Sequence, residues 1–122
     1  PKVYLWDWTL VEDPAARLEN LVALHLQKLV HYLRDHDGHD VELTYLRDRT
    51  GREVDFLVLW NRKPWFAIEV KLTDRHPDPA LRYFRDRLKI PQTFQLALDL
   101  PRNFVESGSQ IVHVPDFLAA TV

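Results

Sequence analysis

The chain has 122 residues, 46% of them hydrophobic and 28% charged, with 18 acidic against 16 basic side chains for a formal net charge of -2. That is the make-up of one soluble globular domain with a real core, too short to split in two. No run in this stretch is long and apolar enough to cross a bilayer and none reads as a signal peptide, so a cytoplasmic protein without a membrane partner is expected. The lack of cysteine excludes disulfides and thiolate metal sites. With Pro1 in first place and no methionine anywhere, the chain reads as an excised part of a longer protein.

Residues 1–12 hold a short aromatic-rich stretch, Lys2-Val3-Tyr4-Leu5-Trp6-Asp7-Trp8-Thr9-Leu10, expected to be a strand or arm of the same domain, which continues over residues 13–122. Asp13-Pro14 then supplies an N-cap and a proline at the first helical position. The helix is expected over residues 14–35, ended around Gly38, with Leu18, Leu21, Val22, Leu26, Leu29, Val30 and Leu33 as its core-facing stripe. At about 100° per residue, Glu19 projects close to the line of Ala23, Leu26, Val30 and Leu33. A buried lone carboxylate is costly and usually has a partner, although an acid in the first turns can also reach solvent or favour the helix dipole. His36 and His39 flank Gly38, and ordinary polar loop residues account for them better than a metal site does.

A strand is expected over residues 41–47 and a turn over 48–51. Two runs rich in β-branched and aromatic residues follow, 52–60 and 64–71, and read as a hairpin closed by Asn61, Arg62 and Lys63. Alternation puts Val54, Phe56, Val58 and Trp60 on one face and Glu53, Asp55, Leu57 and Leu59 on the other. Pairing Trp60 with Pro64 sets Asp55 opposite Glu69, with Lys71 on the same face. Opposed like charges destabilise a sheet unless something cationic lies between them. Two acids and a lysine suit a hard divalent cation, with the ammonium left for a phosphoryl oxygen or an attacking water. They also suit a solvated strand face whose acids pair with Lys71 and nearby arginines.

Residues 72–79 read as a loop, and 80–88 as a short helix with Leu81, Phe84 and Leu88 inward and Arg82, Arg85, Arg87 and Lys89 outward. A strand is expected over 92–100, with Phe94, Leu96 and Leu98 on one face and Gln95 and Ala97 on the other, then another over 110–114 and a final turn over 115–120. The sum is an α/β domain: helix, three-strand antiparallel meander, helix and further strands in a mixed sheet. Between Arg47 and Lys89 eleven Lys and Arg stand against seven Asp and Glu, a net of +4, while the rest of the chain carries -6. A basic middle around an acidic pair is what a phosphate-binding face looks like.

This order, with Glu19 on the first helix, Asp55 on the meander and Glu69-Val70-Lys71 after it, resembles the restriction-endonuclease-like core of the PD-(D/E)XK nuclease superfamily. More narrowly, Lys2-Val3-Tyr4 to Asp7, Leu18-Glu19-Asn20-Leu21-Val22, Gly51-Arg52-Glu53-Val54-Asp55-Phe56 and Ala67-Ile68-Glu69-Val70-Lys71 are similar to a domain of unknown function found C-terminal to an AAA-plus ATPase module and winged helix. The resemblance spans nearly the whole chain. It implies a metal-dependent nuclease acting on DNA, with Glu19, Asp55, Glu69 and Lys71 catalytic, and Asp55, Glu69 and the main-chain carbonyl of Val70 holding Mg²⁺ or Mn²⁺. Arg47, Arg49, Arg52, Arg82 and Arg85 are then candidates to position the nucleic-acid backbone. It also implies upstream ATPase and winged-helix partners, and a homo-oligomer is a further option. No Walker loop occurs in this chain. The competing expectation is a nuclease-fold module that binds nucleic acid or assembles with a neighbouring domain without cutting.

Overall fold

The computed structural model describes residues 13–73 and 76–121; the aromatic stretch over residues 2–10 lies outside them. Asp13 accepts from the Ala15 N–H and starts helix α1, Pro14–Asp37. Gly38 ends it in the left-handed region at φ 70°, returning its N–H to the Arg34 carbonyl while His39 returns to Leu33. Strands β1 (Val41–Arg47), β2 (Glu53–Trp60) and β3 (Lys63–Lys71) form the antiparallel meander. Helix α2 (Pro79–Leu88) then crosses to β4 (Gln92–Ala97), which lies parallel to β3. The short β5 (Phe104–Glu106) and β6 (Ser109–His113) make a hairpin, with β6 parallel to β4, and α3 (Val114–Ala120) follows. Among the described residues the mixed sheet has six strands in the order β1-β2-β3-β4-β6-β5. Among the described residues no helix is long and apolar enough to cross a membrane.

One face of the sheet packs on α1 and α3. Leu18, Val22, Leu26 and Val30 meet Val41, Val58, Phe66, Ile68 and Leu96, with Phe117 closing the far end. The opposite face packs on α2, where Ala80, Leu81 and Phe84 meet Val54, Leu57 and Ala67. Two residues expected inside are at the surface, Leu21 at 50% and Leu88 at 39% exposure, and so is Leu98 at 46%. Leu21 and Leu88 sit at the edges of their helical stripes, and Leu98 falls beyond the end of β4.

Two bulges set how the strands face. The β2–β3 turn has two residues, Asn61 and Arg62, both at positive φ (51° and 67°), the backbone of a tight hairpin whose twist matches its strands. Trp60 therefore pairs with Lys63 and Leu59 with Pro64, not Trp60 with Pro64 as counted from a three-residue loop. Trp65 is then an extra residue on β3, and from Val58–Phe66 to Phe56–Ile68 the pairing is the expected one. The bulge restores the residue that the shorter loop removes. On the other side of β2, Thr44 pairs with Leu57 but Leu46 with Val54, so Asp55 and Phe56 together oppose Tyr45. This breaks the simple alternation: Val54 shares the α2 face with Leu57 instead of lying with Phe56 and Val58. The expected final turn is the helix α3, and β5 was not expected at all.

Candidate functional site

Past the Phe56–Ile68 pair the two central strands are tied by side chains. The Asp55 N–H donates to Glu69 Oε1 at 3.1 Å, and the Val70 N–H donates to Asp55 Oδ2 at 2.8 Å. Lys71, two residues on and on the same face as Glu69, puts Nζ 3.3 Å from Glu69 Oε2. The same ammonium lies 3.0 Å from Asp78 Oδ2. Asp78 is the N-cap of α2, its Oδ1 accepting from the Ala80 N–H at 2.9 Å. These groups open onto a cleft of about 750 Å³ between the sheet and α2, with Asp55, Glu69, Lys71 and Asp78 on its floor and Arg52 and Arg82 among its lining.

Glu19 reaches the group from α1. It is half-buried, and burial and then the neighbouring Asp55 raise its pKa, but it does not line the cleft. Of the five arginines expected to meet nucleic acid, two line the cleft. Arg52 is held there by three contacts: its Nη1 donates to Asp48 Oδ2 (3.0 Å) and Thr50 Oγ1 (2.7 Å), and its guanidinium lies 3.9 Å from the centre of the Tyr83 ring. Arg82 is exposed, 3.9 Å from Asp86. Arg47 turns to Glu53 at 2.7 Å, Arg85 donates to the Ser107 carbonyl at 2.6 Å, and Arg49 is exposed; none of these three lines the cleft. His36 and His39 stack on Tyr32 and Trp60 respectively.

Two further members of the site are Asp78, which the sequence reading does not single out, and Gln95. Asp78 fell inside an expected loop, although Asp78-Pro79 repeats the N-cap signature of Asp13-Pro14. Gln95 is expected on the strand face opposite Phe94 and Leu96, but the sequence does not say which neighbour that face meets. It pairs with Glu69 across the parallel β3–β4 ladder and is fully buried, accepting the Asp78 N–H at 2.8 Å and donating to the His76 carbonyl at 2.6 Å.

The electrostatics are those of crowded acids. Burial, then the neighbouring Asp55 charge, pushes Glu69 up to about 7 from its ordinary 4.5, with Lys71 opposing. Glu19 is raised by burial and then by Asp55. Asp55 is raised by burial, against the Val70 N–H, the Glu19 hydrogen bond and Lys71. Burial disfavours the Lys71 ammonium, but its hydrogen bond to Asp78 and the charge of Glu69 outweigh that and raise it. One ammonium therefore does not neutralise the carboxylates, and a dication is the kind of charge that would. Among the described residues no three His, Asp or Glu side chains form a ready metal-ligand group. The donors fit an ion that takes two carboxylates and keeps several waters, as Mg²⁺ does.

The model of the DUF4143 family, a domain of unknown function, matches residues 16–117. The chain belongs to that family. No curated protein and no solved structure matches it. The matched span of this DUF4143 domain contains every residue of the cleft and both residues behind it, Glu19 and Gln95.

Proposed function

We propose that this DUF4143 domain is a PD-(D/E)XK-type nuclease that hydrolyses DNA phosphodiester bonds with Mg²⁺ or Mn²⁺. The observation that carries the reading is the convergence of Asp55 and Glu69 from adjacent strands beside Lys71 on the floor of one cleft. The order of one helix, three antiparallel strands, a crossover helix and a parallel strand supports the restriction-endonuclease-like assignment. Asp55 and Glu69, with the Val70 carbonyl, would hold the metal, which when bound supplies Lewis-acid polarisation of the phosphate and a more acidic water. Lys71 would donate to a phosphoryl oxygen as charge develops on it, and Glu19 would steady Asp55 from behind. Arg52 and Arg82 would position the backbone without reading bases. In a longer protein, the AAA-plus ATPase and winged helix implied by the resemblance would be its neighbours.

One observation favours a second reading. Lys71 is already clamped between Glu69 and Asp78, and each acid already accepts a backbone N–H, so the cluster is also a closed structural network. A module that binds nucleic acid or assembles without cutting would have that form. Incubating supercoiled plasmid with the domain across a Mg²⁺ or Mn²⁺ titration separates the two. Metal-dependent nicking abolished by Asp55→Ala supports the nuclease, and retardation without nicking at any metal concentration supports the binding module.

A further inference from the structure

Lys71 does not hold its place by its own backbone alone. Its ammonium meets Asp78 Oδ2 at 3.0 Å, closer than Glu69 Oε2 at 3.3 Å. Asp78 is fixed in turn at three points: Oδ1 on the Ala80 N–H, its own N–H on Gln95 Oε1, and Oδ2 on Lys71. Gln95 is the innermost member, fully buried and beside Glu69 in the ladder. Its amide spans the segment before α2, taking the Asp78 N–H with the oxygen and giving the nitrogen to the His76 carbonyl. A buried glutamine on a strand between Phe94 and Leu96, which face the other side of the sheet, has no packing reason to be polar. It bonds two backbone groups of the segment leading into α2, and in doing so fixes where the carboxylate of Asp78 stands.

We propose that Gln95 and Asp78 are positioning residues that hold the Lys71 ammonium at the Asp55–Glu69 pair, so that β4 sets the geometry of the chemistry on β3. Neither residue need touch substrate. Gln95 aims Asp78, and Asp78 limits the rotamers of a long, flexible side chain whose cation would otherwise sample the open cleft. The catalytic part of this inference rests on the nuclease reading; the positioning part does not.

The test uses two variants of the 122-residue chain. Asp78→Ser keeps an N-cap for α2 but is too short to reach Lys71, whereas Gln95→Leu removes both bonds that aim Asp78. The first measurement is the acetylation rate of Lys71 by an amine-reactive acetyl ester, read by mass spectrometry against the exposed Lys89 of the same molecule. Severalfold faster labelling of Lys71 in both variants is expected. Unchanged Lys71 labelling in Asp78→Ser overturns the proposal, and should Gln95→Leu fail to fold, Asp78→Ser alone decides. The second measurement is Mn²⁺-supported plasmid nicking, where kcat is expected to fall by on the order of tenfold or more with KM unchanged, as for a displaced catalytic group. A KM increase with kcat unchanged would instead make Asp78 a substrate-binding group and overturn the positioning role. If the wild-type chain nicks no DNA, the nuclease reading fails, and the labelling still decides whether Gln95 and Asp78 position Lys71.

Discussion

Asp55 and Glu69 bond to each other's strands: the Asp55 N–H donates to Glu69 Oε1, and the N–H beyond Glu69, that of Val70, donates to Asp55 Oδ2. Each acid thus replaces a ladder hydrogen bond at the point where β2 and β3 part. The arrangement fixes both carboxylates without help from a loop, and it does so by burying charge, with Glu69 only 7% exposed. Local satisfaction of the backbone comes at the cost of electrostatic strain between the acids.

That cost has a pH dependence whose sign follows from Glu69. Its carboxyl sits at about 7 in the folded protein against 4.5 ordinarily, so the folded state holds its proton more tightly than the unfolded chain does. Stability from this group is greatest below about pH 4.5, falls as pH rises between about 4.5 and 7, and levels off above. At 1.36 kcal/mol per pKa unit the loss is about 3 kcal/mol, with the opposing charge of Lys71 already included. Asp48 works in the opposite direction. Burial opposes the shift, but bonds from Arg52 and Thr50 hold it at about 2, so its contribution disappears only as pH falls from its ordinary 3.8 toward 2. Metal-free thermal melts should show Tm declining from pH 5 to 7.5. Glu69→Gln, which keeps the oxygen for the Asp55 N–H, should flatten that decline and melt several degrees above wild type at pH 8. A variant with the same slope as wild type would place the titration elsewhere.

The fold was legible where local and global signals agree. The Asp13-Pro14 start, the Gly38 stop and the period of Leu18, Val22, Leu26 and Val30 all mark α1, and the β-branched runs mark the hairpin. The opposition of Asp55 and Glu69 survived a wrong turn count because the Trp65 bulge compensates, and no propensity in the sequence announces that bulge. Val54 was assigned to the wrong face for the same reason: the second bulge, at Asp55 and Phe56, depends on pairing with β1. Asp78 is legible only as an N-cap, and the place of Gln95 at the site is not fixed by its sequence because a strand pattern does not say which later strand lies beside β3. Only the crossover through α2 brings Gln95 next to Glu69.

The β5–β6 hairpin offers a test remote from the acids. Ser107 and Gly108 both lie at positive φ (51° and 80°), and a Cβ on Gly108 would collide with the Arg85 guanidinium, which donates to the Ser107 carbonyl. Gly108→Ala therefore strains the turn and displaces Arg85 from its bond. A loss of about 1–3 kcal/mol is expected in urea unfolding, combining backbone strain with one hydrogen bond. The same variant should leave any nicking activity unchanged, since neither Gly108 nor Arg85 lines the cleft.

Lys71→Ala should separate charge stabilisation from metal binding. The ammonium donates to Glu69 and Asp78 and is no metal ligand, so divalent-ion affinity should persist or rise once its positive charge is gone. Nicking should fall by on the order of 10²-fold or more, the usual consequence of removing a donor aimed at developing charge. Full activity in Lys71→Ala would remove the lysine from the chemistry.

Metal binding itself is the most exposed prediction. Two carboxylates contributed by one hairpin, with a third acid behind them, are expected to bind Mg²⁺ or Mn²⁺ weakly and with several waters retained. Calorimetry on the wild-type chain at pH 7.5 should show a single weak site. Asp55→Ala should abolish it, because that change deletes one of the two carboxylate ligands and also frees the Val70 N–H from its partner. Protein stability should move in the opposite direction for the conservative change. Asp55→Asn keeps an oxygen for the Val70 N–H while removing one of the crowded charges, so it should lose metal affinity yet melt at or above the wild-type temperature at pH 7.5. A cluster whose main purpose was structural would show the reverse: no metal heat in wild type, and a lower Tm for Asp55→Asn because the network with Lys71 had lost a charge. The pair of measurements on that one variant distinguishes acids kept for a cation from acids kept for the fold.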